Sequence, residues 1–367
     1  MARPRPLALL VVLSALVPAC KASPQRTASI APDGGHGGPP PSGAAVSSTA
    51  RAPASPAEAA DDADGARPKA AADILASVTL LDPGRPPRRK LRYAWRVDQK
   101  ELLSMVLRTA ASTESEGTRQ PEVPLPTVHV AIAIDPRSVS PDGDMSYAWR
   151  VTSAAVEATE DTPSQMADGM RAEVAEIERL SGSSRVTSRG ITDEVTIDPA
   201  ADPSADAAAA ADRTPESNRG GTSQMAEQIR QTLHDVAAPF PEEEVGAGAR
   251  WRKLSQLDAS DARITQTETF RLVELRGGGG TLDDTLAQTA PPQPLRGPGA
   301  QAGTQARLDS MLASGQASVR FDLSRLVAQS TFDGTTTMVL SGQHPQVGAR
   351  RVTMVMRVAI AITGSRR

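Results

Sequence analysis

Few side chains in this sequence have types and spacing that could do chemistry, and most of them stand alone. The one cysteine, Cys20, is the only thiol nucleophile or soft metal ligand. The four histidines, His36, His129, His234 and His344, are each far from any ligand at zinc-site spacing. No Gly-x-Ser-x-Gly turn exposes a serine nucleophile, and Gly277 to Gly280 are followed by neither Lys-Ser nor Lys-Thr, as a phosphate cradle requires. A flexible inter-strand loop is expected there. Asp142-Gly143-Asp144 and Asp283-Asp284 are too short for a calcium loop and read as turn aspartates. Glu242, Glu243 and Glu244 follow a Pro-Phe-Pro break and read as a solvated acidic loop able to meet a basic partner. These residues predict no catalytic set, no metal site and no cofactor. The reading is a protein that is not an enzyme, with an undetected hydrolase as the minor alternative.

Cys20 takes its meaning from what precedes it. Arg3 and Arg5 form a positive segment, Leu7 to Val17 an apolar one, and Val17-Pro18-Ala19-Cys20 stands at a cleavage position. The apolar run is too short to span a bilayer, which takes about 20 residues. The pattern resembles a bacterial lipoprotein signal, which implies an acylated N-terminal Cys20, a partnership with the membrane through that anchor and a place in the cell envelope. Lys21 resembles an outer-membrane sorting residue. With Cys20 modified, no disulfide can form.

Residues 1–19 therefore read as the signal peptide and 20–72 as a disordered linker rich in Ala, Pro, Gly and Ser. Residues 73–367 read as a single domain. A net charge of -3 argues against a nucleic-acid partner, and only nine aromatic residues leave a core built from aliphatic side chains and methionine.

The elements that must position any site are mostly strands. Period-two alternation marks 91–97, 128–134, a strand after the Ser140 to Asp144 turn, 317–323 and 352–362, the last long and central. Further strands are expected near 185–197, 249–257, 262–275 and 330–341. Two helices interrupt them. Thr162-Pro163-Ser164-Gln165 fits a capping box ahead of the stripe Met166, Met170, Val174, Ile177 and Leu180. Met225, Ile229, Leu233 and Val236 form a second stripe, ended by Pro239. Residues 199–221 between them read as a mobile insertion. The expected fold is α+β: a mainly antiparallel, curved, half-barrel-like sheet of about eight to ten strands with two packed amphipathic helices.

Tyr-Ala-Trp-Arg-Val occurs twice, at Tyr93 to Val97 and Tyr147 to Val151. Two strands sharing one aromatic layer of the sheet would explain the repeat. The functional alternative is an aromatic rail in which Trp95, Trp149, Arg96 and Arg150 contact a ligand or partner. The run of Phe240, Pro241, Val245, Gly246, Gly248 and Trp251, with the segment around Cys20, Phe321-Asp322-Leu323 and Gly334, resembles a family of bacterial envelope lipoproteins known only as a domain of unknown function. The likeness spans most of 73–363 and transfers no catalytic residue. A membrane-anchored lipoprotein that binds an apolar ligand or lipid is the first functional reading, and a structural or assembly lipoprotein docking another envelope protein is the second.

Overall fold

The computed structural model describes residues 77–160, 162–198, 229–259, 262–295, 305–344 and 348–367. The expected signal peptide at 1–19, Cys20, the expected linker at 20–72, Met225, the expected insertion at 199–221 and the His344 side chain lie outside the described residues.

Alternating apolar residues build one antiparallel sheet. Its first strands are β1 (Ser77–Asp82), β2 (Glu101–Ser115), the two-residue β3 (Thr118–Arg119) and β4 (Val123–Pro124), β5 (Thr127–Val139) and β6 (Met145–Glu157). Helix α1 (Ser164–Ile177) is followed by β7 (Ser181–Val186) and β8 (Thr192–Ile197). The chain continues through β9 (Arg250–Ala259), β10 (Ala262–Arg276), β11 (Gly279–Ala290), β12 (Gln293–Leu295), β13 (Gln305–Asp322), β14 (Gln329–His344) and β15 (Gly348–Arg366). The strand path runs β1-β9-β10-β11-β13-β14-β15-β2-β5-β6-β7-β8, so the sheet is open, with β1 and β8 as its edges. The long β15 lies in the middle of that path, between β14 and β2.

The expectation of eight to ten strands gives way to fifteen. Four of the additions, β1, β3, β4 and β12, are short pieces that pair with longer strands. The other two differences are informative. β2 and β11 lack a clean apolar alternation, because Glu101 in β2 and Asp284 and Gln288 in β11 occupy buried-face positions. The predicted strand at 91–97 is not one. Leu91, Tyr93 and Trp95 are buried in alternation, but the Tyr93 amide donates to the Ser188 carbonyl and the Ala94 amide to the Leu323 carbonyl. The segment is an extended strap whose backbone bonds once to each of two loops, which reproduces a strand's burial period without its ladder.

β5 and β6 pair as antiparallel neighbours through a turn in which the Asp144 amide donates to Ser140 Oγ and Gly143 takes φ 84°. Residues 277–278 make a tight hairpin turn between β10 and β11, with Gly277 at φ 53°, in place of the expected flexible loop. The capping box does not form: Pro163 is the N-cap of α1, and no side chain caps the helix. Ala167, Val174 and Ile177 of α1 are buried, as is Leu180 just beyond it. A second helical segment covers 229–234, with Ile229 and Leu233 buried.

All nine aromatic residues are buried. A chain of ring contacts runs Trp95, Tyr93, Phe240, with Phe240 also touching Phe321 and Trp251, and Trp251 stacking on Phe270. Trp251, second residue of β9, donates its indole N–H to the Pro239 carbonyl at 2.9 Å. Phe240, five residues past the hydrogen-bonded turn that ends the second helical segment at Asp235, thus joins the strap at 91–97 to the sheet.

Candidate functional site: an ionic cluster beside a methionine row

Because side chains two residues apart share a face, the strand registers lay the buried face out in rows. One row reads Trp251, Phe270, Asp284, Ala317, Phe332, Ile360 across β9 to β15. The next is Lys253, Glu268, Leu286, Gly315, Gly334, Val358, and the third is Ser255, Gln266, Gln288, Ala313, Thr336, Met356. Beyond it, Ala290 of β11 leads into Met311, Met338 and Met354 on β13, β14 and β15. The buried face of this half of the sheet is therefore aromatic, then ionic, then polar, then methionine-lined.

The ionic part is closed to solvent. Lys253, Glu268 and Asp284 are at most 5% exposed, and Asp235, reached from the helical segment 229–234, is 6% exposed. Lys253 Nζ lies 2.5 Å from Asp235 Oδ1 and 3.2 Å from Glu268 Oε2. Gln231 Nε2 donates to Asp235 Oδ2 at 2.9 Å, and His234 Nδ1 lies 3.2 Å from Asp235 Oδ1. Gln288 Nε2 donates to Gln266 Oε1 at 2.6 Å. Two carboxyl groups thus pair with one buried ammonium. Neither oxygen of Asp284 has an aligned hydrogen-bond partner, and the same holds for Gln288 Oε1.

Each protonation state follows from these neighbours. Burial alone would raise the Asp235 carboxyl, but the Lys253 ammonium and His234 outweigh it and hold Asp235 well below the usual carboxylate range. Burial alone would likewise lower Lys253, and the charges of Asp235 and Glu268 push it up instead. Glu268 is raised by burial, against the pull of Lys253. Asp284 is raised well above its ordinary value, first by burial and then by the charge of Glu268. Lys253 is thus an ammonium and not an amine nucleophile.

The residues singled out from the sequence lie elsewhere. Trp95 and Trp149 are buried, and their indole nitrogens have no partner. Trp95 follows Tyr93 in a stacked pair with centroids 4.2 Å apart, whereas Trp149 sits in β6, so the two copies of the pentapeptide do not form two strands of one layer. Arg96 is exposed and paired with Asp98 at 2.8 Å. Arg150 is exposed on the face of β6 opposite Trp149. His129, on the exposed side of β5, lies 3.1 Å from Glu157 Oε2. Glu242 of the acidic loop bridges Arg92 and Arg189, at 2.7 Å each. Asp284 corrects the reading of Asp283-Asp284 as a turn: both residues lie within β11, with Asp284 facing in. Among the described residues, no three His, Cys, Asp or Glu side chains converge in a way that could hold a metal ion.

A separate surface groove of about 400 Å³ lies at the β10–β11 turn, lined by Arg276, Arg320 and Arg325 together with Glu274 and Asp322. Arg325 Nη2 is 3.5 Å from Glu101 Oε2, whose carboxylate accepts the Leu326 and Val327 amides at 2.7 and 3.3 Å. Its charges are nearly balanced, and Glu101 ties its floor to the start of β2.

No protein-family model matches the chain, and no curated protein matches it. Among the described residues, no helix is long and apolar enough to cross a membrane.

Proposed function

We propose that the chain is a non-catalytic lipoprotein of the bacterial envelope, anchored through Cys20, that holds an apolar chain such as a lipid tail against the buried face of its sheet. The observation that carries this reading is the cross-strand row Met311, Met338 and Met354, with Met356 in the adjacent row. These four methionines are between 1% and 9% exposed, so the face is packed in the ligand-free chain. Methionine is unbranched and polarisable, and it repacks around irregular apolar partners at little cost. A row of it on three neighbouring strands lines a face that can open to a chain and close again. On this reading the sheet curls into a half-barrel, with α1 and the segment at 229–234 as its packed amphipathic cover.

The test is native mass spectrometry with lipid extraction on the gently purified full chain, paired with binding of a fluorescent fatty-acyl probe. A stoichiometric, non-covalent lipid and a saturable probe site are expected. Met338→Ile with Met354→Ile keeps the volume but stiffens the row and weakens the probe by about tenfold, equivalent to about 1.4 kcal/mol. A chain that carries no lipid and binds no probe overturns the reading. Crosslinking at the edge strands β1 and β8 and at Glu243 and Glu244 would then test the docking alternative, in which another envelope protein adds to an open sheet edge.

A further inference from the structure

We infer that the ligand's head group is a hydrogen-bond-donating cation, an ammonium, seated between Asp284 and Glu268. This deepens the apolar-chain reading and rests on it. Three buried carboxyl groups, those of Asp235, Glu268 and Asp284, lie near one buried ammonium, Lys253, which pairs with the first two only. Lys253 is already committed: its Nζ pairs with Asp235 at 2.5 Å and reaches Glu268 at 3.2 Å. Asp284 is left with two buried oxygens and no aligned donor. Glu268 Oε2, on the neighbouring strand, likewise has no aligned hydrogen-bond partner. Buried polar atoms are almost always hydrogen-bonded, so partnerless carboxyl oxygens on two adjacent strands point to a missing donor. The excess of carboxyl groups makes that donor a cation. Glu268 faces Leu286 across the β10–β11 ladder, one row from Asp284, so an ammonium between them would lie on the diagonal of two neighbouring strands.

The direction of the tail follows from the same register. From Asp284 the buried face of β11 runs through Leu286 and Gln288 to Ala290, opposite Met311. Six residues of strand cover about 20 Å, so a long chain whose head meets Asp284 lays its tail across the methionine row.

The experiment uses the full chain carrying Cys20→Ser, purified without detergent and titrated calorimetrically with dodecylamine, dodecanol, dodecanoate and the short propylamine. Dodecylamine should bind about ten- to a hundred-fold tighter than dodecanol, the range for one charge-assisted hydrogen bond, and dodecanoate should bind more weakly than either. Asp284→Asn should reduce dodecylamine binding to the dodecanol level and leave dodecanol unchanged, and Glu268→Gln provides the same comparison if the first variant does not fold. Equal binding of amine, alcohol and acid, or a dodecylamine affinity unmoved by both variants, overturns the cationic head group and leaves the apolar-chain reading intact. Failure of all three long chains removes both. Propylamine binding with no gain from the longer chain places the cation site apart from any tail and overturns the combined arrangement.

Discussion

Lys253→Met is the sharpest probe of the buried cluster, because it removes the one ammonium that Asp235 and Glu268 share while roughly preserving side-chain length. Both acids are buried, at 3% and 2% side-chain exposure, and pair with Nζ at 2.5 and 3.2 Å. Removing one partner of a buried ion pair leaves an uncompensated charge and costs about 3–5 kcal/mol. For the roughly 290 residues beyond position 76, an unfolding entropy of about 2.1 cal/mol/K per residue converts this into a fall in Tm of about 5–8 °C. Acidity separates an electrostatic cause from a packing one. In the wild-type chain Asp235 is held low, so its contribution is present above the ordinary carboxylate pKa and is lost only as the pH falls through its depressed value. Without Lys253 that depression disappears and burial dominates. The folded pKa of Asp235 then rises above its unfolded value, and the loss grows as pH rises through it. Thermal melts of both proteins from pH 4 to 8 should show a deficit that is largest at pH 8 and shrinks towards pH 4. A penalty below about 1 kcal/mol, or one constant with pH, would refute the reasoning and reduce the cluster to a packing detail.

Two further expectations concern the same face. Asp284 has a raised folded pKa, so its protonated form supports the fold: that contribution is complete below the ordinary carboxylate value and is lost as pH rises through the raised one. Asp284→Asn should therefore gain on the ligand-free wild type with rising pH, by about 1–3 kcal/mol, and denaturant titrations at pH 4.5 and 8 that show equal differences would count against it. Gly315 and Gly334 face each other across β13 and β14, and a Cβ at either would run into the Phe332 ring. Gly315→Ala should cost about 1–3 kcal/mol by overpacking, with part of the loss recovered by adding Phe332→Leu; a neutral Gly315→Ala would show that the ring moves aside freely.

The legible parts of this fold are those where face and polarity agree. Val128, Val130, Ile132 and Ile134 mark β5, and Met354, Met356, Val358, Ile360 and Ile362 mark β15, because each buried position is apolar. The strap at 91–97 shows how period two reports burial and not pairing: Tyr93 and Trp95 alternate inward while their backbone bonds to loops. β11 was hidden by its own buried polar residues. Leu282, Asp284, Leu286, Gln288 and Ala290 share the buried face, and the acid and the amide erase the apolar pattern that would have announced a strand. The cluster was nevertheless encoded. Lys253 follows Trp251 by two, Glu268 precedes Phe270 by two, and Asp284 follows Leu282 by two, so each charge keeps the parity of a large buried neighbour. Three such violations in consecutive strands form a pattern that a search for grouped catalytic or metal ligands passes over. Asp235 has no such signal, because its place is fixed by the chain reversal between the helical segment and Trp251.

The two unusual features of this face are better understood together than apart. A buried ionic cluster is a poor device for stability, since well-packed apolar residues of similar volume serve as well or better. Methionine rows are a poor device for a unique core, since their side chains repack readily. On the other side of β15 the buried face is mostly apolar: β2, β5 and β6 face inward with Leu103, Ile132, Ile134 and Trp149, and the buried acid there, Glu101, is satisfied by the Leu326 and Val327 amides and Arg325. Both departures fall on the strands from β9 to β15, within three rows of each other, and the donor-poor atoms lie at the ionic end. Local rules broken without compensation tend to coincide with functional sites. Here the compensation that both features lack would come from the same molecule, one with a cationic head for Asp284 and an apolar tail for Met311, Met338 and Met354.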